Sequence, residues 1–526
     1  MDDKPSQRYS VGYVGRRHRN TRTSLVGRIL SVVLLVVILC GGALLFVQWQ
    51  YPNLLATFNP FNREEPVRDR SVIELWDLVV YGSEPEGIAA AVTAARQGLS
   101  VLLVSPDPEL GGLFTLGWLN SLDMSWDVSE GGRELLTRGF FEEWWGALFQ
   151  QPLSFQVDSA LLAFQYLTMA EPNLLVRLNQ TLLGVECTPA DPEVGRNESL
   201  LRAKFRSDSG LEYRSEAPFF IDASGDADLA ALTSAPFNFG WEDVGRPGIL
   251  MAPTLVFEVD NVNWVEVMRY ARELEDPRYG ANEDSAWAYW EIVADYQPTD
   301  LQTYLRGLNI GRQSLDWDDR ERSNVLINAL LIFDVDVLDP ASKTLARQRG
   351  EAEARHIVDF LRREAPGFAA AEYVRAAPQL YIRESRHLVA MYTLTLGDVI
   401  TEREFPDEIA VGAYPVDLQA VSPTERERTL YAPQRGYGVP LRSLIPLSGP
   451  ANLLVVGRSA GFTSEAHGSA RVVPLGMCQA EAAAYTVAYA LAGEIADLRQ
   501  LATSAVAVRA IQQAILDAGG YLRIGE

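Results

Sequence analysis

Between residues 76 and 105 the chain reads strand, glycine turn, helix, strand, and few folds accommodate that order. Trp76 to Tyr81 is a short apolar run ended by Gly82, Ile88 to Gln97 is Ala-rich and stops at Gly98, and Val101 to Val104 is a second apolar run halted by Pro106. Such a βαβ unit of about 30 residues is right-handed and belongs to a parallel sheet. Its turn, Gly82-Ser83-Glu84-Pro85-Glu86-Gly87, keeps the first and third glycines of the dinucleotide fingerprint G-x-G-x-x-G and has Glu84 at the middle one. A carboxylate about 5 Å from a phosphate is repelled by roughly 3 kcal/mol at an effective dielectric of ~20, whereas a helix N-terminus returns only ~0.3 to 2 kcal/mol. Glu84 is therefore expected to turn away from any pyrophosphate, or none binds there. The second strand ends at Ser105, where an acidic residue would take ribose hydroxyls, so Asp107 or one weaker bond from Ser105 has to serve. On this segment alone an ordinary βα turn, with glycines for packing, stays open.

The rest of the chain narrows the field. Its 526 residues are enough for about three domains. With 46 Lys and Arg against 69 Asp and Glu, the net charge of -23 repels phosphate backbones, so no nucleic acid partner is expected. The cysteines (Cys40, Cys187, Cys478) and histidines (His18, His356, His387, His467) form no C-x-x-C or H-E-x-x-H, and no metal site or disulfide scaffold is expected. Ile29 to Val47 is 19 residues without a charge, preceded by seven bases in a tail of 28 residues and followed by Trp49 and Tyr51. That pattern predicts a basic cytoplasmic tail (1–28), one transmembrane helix (29–47) and a linker (48–74), with the body outside the cell membrane. A cleaved signal peptide is the competing reading, and the segment lacks an A-x-A-like site for it.

Three later segments add glycine turns at strand ends: Gly111-Gly112 just after the second strand, Phe219 to Asp228 as a strand entering a Gly225 turn, and Asn452 to Arg458 as a strand ending on Gly457, followed by Ala-rich residues 475–492. With these, with Ile382 to Arg386 and with Gly457-Arg458 through Glu465-Ala466-His467-Gly468-Ser469-Ala470-Arg471-Val472, the chain resembles the bacterial FAD-dependent oxidoreductase family of the glutathione-reductase-like flavoprotein class, over about residues 75 to 495. The resemblance implies an α/β fold, a Rossmann-like FAD-binding domain (75–235 and 431–495) interrupted by an α+β substrate domain (236–430), with 496–526 as a C-terminal helical segment. It implies FAD as cofactor, held by Gly82, Ser83, Glu84, Gly87, Ser105, Gly111, Gly112, Asp222, Gly225, Asp226, Gly457, Arg458 and Arg471. A helix beginning near Pro474 would aim its N-terminus at the flavin pyrimidine.

For chemistry, oxidation of a C–H bond by flavin needs hydride delivered to N5 and a base for the attached proton. His467 is the first candidate base, because an imidazole near its ordinary pKa of ~6.5 takes a proton at neutral pH. Arg383 and Arg386, on one side if that segment is helical, would hold a substrate carboxylate or reduced flavin; pairing with local acids is the structural alternative. Gln419 stands where the family often has a histidine. The partners expected are a small organic substrate and an electron acceptor such as dioxygen or a quinone. The Trp- and Tyr-rich stretch 264–305 could stack on a ring substrate or simply be core. Gly457-Arg458-Ser459-Ala460-Gly461 also matches the nucleophile elbow G-x-S-x-G, but His467 lies only eight residues on with no acid-bearing strand between, so a hydrolase or a non-catalytic relative is the lesser alternative.

Overall fold

The first strand, the helix after Gly82 and the second strand form as their apolar runs dictate, and they anchor everything else. The structure is a computed structural model; it describes residues 73–523 apart from 130, 149, 194–196, 275–278 and 314–318. The expected tail, the membrane span at 29–47 and nearly all of the 48–74 linker lie outside the described residues. Among the described residues no helix is long and apolar enough to cross a membrane.

Strand β1 (Leu78–Tyr81), helix α1 (Pro85–Arg96), strand β2 (Val101–Val104), β3 (Leu174–Arg177) and β4 (Phe219–Asp222) follow in order. With a late strand, β8 (Leu453–Val455), they make a five-stranded sheet in the order β8-β4-β1-β2-β3, every pair parallel. Both faces of a parallel sheet must be covered, which is why β1 and β2 are apolar at every position and wholly buried. Val79, Tyr81, Leu102 and Val104 pack on one side with Phe205 and Tyr213 of a four-stranded sheet (73–75, 180–188, 199–207, 212–216). Leu78 and Val80 point to the opposite face. Helix α1 packs on this sheet and against the long helix α3 (Val473–Ala492), whose small residues Ala480, Ala482, Ala483 and Ala484 are fully buried.

Residues 254–376 build a second layer. Strands β5 (Thr254–Val262), β6 (Thr303–Arg312) and β7 (Ser323–Ile332) are the centre of a six-stranded antiparallel sheet. Helix α2 (Pro340–Glu364) begins with Pro340 behind the Asp339 N-cap and lays one stripe, Ala346, Ala354, Ile357 and Leu361, into the same core. The aromatic stretch serves that core: Trp264 and Tyr289 are fully buried, and the Tyr270 and Tyr289 rings stack at 4.7 Å. For Trp264 and Tyr289 the core alternative is the one observed, while Trp287 is 36% exposed.

Candidate functional site

The site is built where the turns after β1, β4 and β8 meet at the carboxyl ends of the parallel strands. Gly82 has φ +110°, and a Cβ on it would lie 2.6 Å from the Ala223 carbonyl; one on Gly87 would lie 2.0 Å from the Gly82 carbonyl oxygen. The two fingerprint glycines are thus required by contact between the turns. Asp222, expected to touch cofactor, is fully buried and holds its own turn: its carboxylate accepts from Ser224 N–H (3.0 Å), Ser224 Oγ (2.6 Å) and Ala230 N–H (2.7 Å). Burial pushes it up to about 7 against the pull of those bonds. Ser83 and Ser105 are likewise buried, Ser83 Oγ donating to Ser105 Oγ at 2.9 Å and Ser105 Oγ to Asp107 at 3.1 Å. Of these three side chains, only Asp107 keeps partial exposure.

Glu84 does not turn out of the site. Its Oε2 accepts from the Leu113 N–H at 2.7 Å and its Oε1 lies 3.3 Å from Arg458 Nη1, so the carboxylate lies across the Gly111-Gly112 turn. Arg458 packs on Gly225, where a Cβ would be 1.6 Å from Nη2, and pairs at 3.6 Å with Asp226, which also accepts from Ser385 Oγ at 2.7 Å. Glu86, two residues on, is only 6% exposed, with its carboxyl against Gly457 and Gly476. Burial first, then the charge of Glu84, pushes Glu86 up to about 8; burial also raises Glu84, with Arg458 and the Leu113 N–H pulling it back.

A small cavity opens here, lined by Glu84, Glu86, Arg458 and Leu113 at one end and by Asp123, Tyr381, Arg383 and Arg471 at the other. Arg471 Nη1 donates to Tyr381 Oη at 2.8 Å and Nη2 lies 3.4 Å from Asp417. Arg383 donates to Thr254 Oγ1 at 2.6 Å and sits 4.0 Å from the Tyr381 ring centroid; burial lowers it to about 10. Burial raises the Asp123 carboxyl, with Arg471 opposing. Gln419, by contrast, gives its Nε2 to Asp417 at 2.6 Å.

Three expectations change. Residues 382–385 are not helical but lead into a short strand, Arg386–Leu388, so Arg383 and Arg386 do not share a face. Arg386 leaves the cavity and bonds the Asp226 carbonyl (2.5 Å) and Asp228 (3.0 Å), the local-acid alternative. His467 is fully buried beneath the cavity, Nε2 at 2.8 Å from the Arg383 carbonyl, its ring edge-on to His387 at 4.6 Å; burial, then His387 and Arg471, lower it well below the ordinary range. Glu384, His387 and His467 also bring three ligand-type atoms within 4.8 Å, a grouping that their spacing does not announce. Each already has an internal partner: His387 Nε2 meets Glu384 at 3.0 Å, and Glu384 accepts from the Met251 N–H at 2.6 Å. Ser459 is fully buried and donates to the Gly225 carbonyl at 2.8 Å, which leaves no nucleophile elbow.

A glycine-turned parallel sheet with a returning late strand and a polar cavity at its carboxyl edge defines a dinucleotide-binding α/β protein. The chain belongs to the FAD dependent oxidoreductase family, whose sequence model matches residues 77–515; it is an FAD-dependent oxidoreductase and FAD is its cofactor. Similar solved structures include a geranylgeranyl bacteriochlorophyll reductase-like protein from Thermoplasma acidophilum, at 13% identity over 85% of this chain and 84% of that one, TM-score 0.39. The myxobacterial chondrochloren halogenase CndH is 13% identical over 84% and 79%, TM-score 0.39. The p-nitrophenol 4-monooxygenase PnpA from Pseudomonas putida DLL-E4 is 10% identical over 85% and 93%, TM-score 0.35. No curated protein matches the chain in sequence. The glycines at 82, 87, 225 and 457 make room for the protein's own turns and side chains, and of the cavity-lining groups Arg458 and Arg471 supply the positive charge that suits the cofactor's phosphates. The carboxylate of Glu84, held directly on Arg458 and the Leu113 amide, is at odds with a phosphate there.

Proposed function

We propose that the chain oxidises a small hydroxylated or amino substrate carrying an anionic group, by hydride transfer to FAD. When bound, FAD supplies the hydride acceptor; this chain's residues bind and deprotonate. Arg383 and Arg471 bind the anionic group, and Tyr381, held by Arg471, orients the reacting O–H or N–H. Asp123 replaces His467 as the proton acceptor, because His467 is sealed beneath the cavity while Asp123 lines it. Its raised pKa makes it a stronger base than a free carboxylate, usable once pH exceeds that value.

The observation that carries this reading is the cavity end where one carboxyl, one phenol and two guanidinium groups converge. Anaerobic mixing of the flavin-loaded protein with sugars, polyols, hydroxy acids and amino acids tests it, bleaching of the yellow absorbance being the readout. Asp123→Asn should slow bleaching at least about a hundredfold, within the range of a lost general base, with flavin content kept. Unchanged bleaching would remove Asp123 from the chemistry. For the acceptor we propose dioxygen or a membrane quinone, the latter if residues 29–47 anchor the chain; reoxidation rates with each separate the two.

A further inference from the structure

Glu84 stands at the N-cap position of α1 yet its side chain caps nothing there. It reaches to the Gly111-Gly112 turn, and a Cβ on Gly112 would lie 2.2 Å from its Oε2, so the glycine is what admits the carboxylate. The donors it meets, the Leu113 N–H at 2.7 Å and Arg458 Nη1 at 3.3 Å, are one amide and one guanidinium brought together from 29 and 374 residues away. That pair is suited to the oxygens of any anion. Arg458 keeps further capacity in hand, since its buried Nε has no hydrogen-bond partner. The positive charge of Arg458 is balanced from within by Glu84 and Asp226 before any ligand arrives.

We propose that Glu84 is a resident anion in the seat of a cofactor phosphate, so that FAD enters by displacing its carboxylate from Leu113 and Arg458, and Glu84 sets how tightly the chain holds FAD. This rests on FAD occupying the cradle between the glycine turns. A side chain tethered in the seat competes with the pyrophosphate and, once displaced, repels it. The isoalloxazine and ribityl parts carry no such charge, and their binding is indifferent to Glu84.

Flavin-free full-length protein, wild type, Glu84→Gln and Glu84→Ala, is titrated with FAD and, separately, with riboflavin, following flavin fluorescence. Glutamine keeps the size of the side chain, so a folded comparison survives if alanine leaves a damaging void. The expected result is an FAD Kd at least tenfold lower in the variants, with riboflavin affinity unchanged. FAD uptake by the variants alone supports the proposal most directly. Equal or weaker FAD binding in the variants, while wild type binds, overturns it and leaves the flavoenzyme reading intact; so does equal tightening of riboflavin. Failure of every form to take up FAD overturns both.

Discussion

Replacing Glu86 by Gln isolates the cost of a carboxyl folded into the first turn of α1. The group is 6% exposed and pushed up to about 8 from the usual value of 4.5, chiefly by burial and next by Glu84. Because its folded pKa lies above its unfolded one, the native chain holds a proton that the unfolded chain has released, and stability falls as pH rises through that window. At ~1.4 kcal/mol per pH unit, flattening near the folded value, the loss from pH 6 to pH 8 is about 2 kcal/mol. Glutamine does not titrate, so the stability of Glu86→Gln relative to wild type should improve by that amount between pH 6 and pH 8. Urea unfolding of the flavin-free proteins at pH 6, 7 and 8 measures it; Asp222 and Glu481, both also pushed up to about 7, cancel in the comparison. Parallel curves for the two proteins would refute the buried, protonated state of Glu86.

His467→Gln is expected to act on stability and not on chemistry. Below pH ~6.5 the unfolded chain gains a proton that the buried ring refuses, so wild type loses up to ~1.4 kcal/mol per unit as pH falls and the variant does not; a pH-independent difference, or slowed bleaching with flavin retained, would contradict this. Gly225→Ala places a methyl 1.6 Å from Arg458 Nη2 and must expel the guanidinium, at about 1 to 3 kcal/mol. Lower melting temperature and poorer flavin retention are expected, and unchanged values would mean that Arg458 does not pack there.

Local patterns were legible wherever a few neighbouring residues decide the outcome. The apolar runs at 78–81 and 101–104 became buried strands, Gly82 and Gly87 marked a close turn, and Pro474 with the alanines after it became the start of α3. The site was legible only in part, because its chemistry comes from side chains that converge across the fold. Asp123 and Tyr381 carry no spacing signal: they line one cavity only because the fold brings distant segments together, Tyr381 being bridged to Thr254 of β5. Arg386 was misplaced since i to i+3 spacing means one face on a helix and opposite faces in extended chain. Glu86 was in plain view as the second acid of the turn, and its burial against Gly457 and Gly476 depends on residues some 370 to 390 positions later. His467 looked reactive by type; only the packing of Arg383 and His387 around it shows a sealed ring.

The late return of β8 to the side of β4 has a consequence for synthesis. Phe219 to Asp222 emerges from the ribosome long before Leu453 to Val455, and at ~5 to 20 residues per second the interval is roughly ten to fifty seconds. Throughout it one flank of the growing sheet offers unpaired amides and carbonyls to any neighbouring nascent chain. A protein ended before residue 453 would keep that flank permanently, and its insolubility would reveal how much the final segment protects.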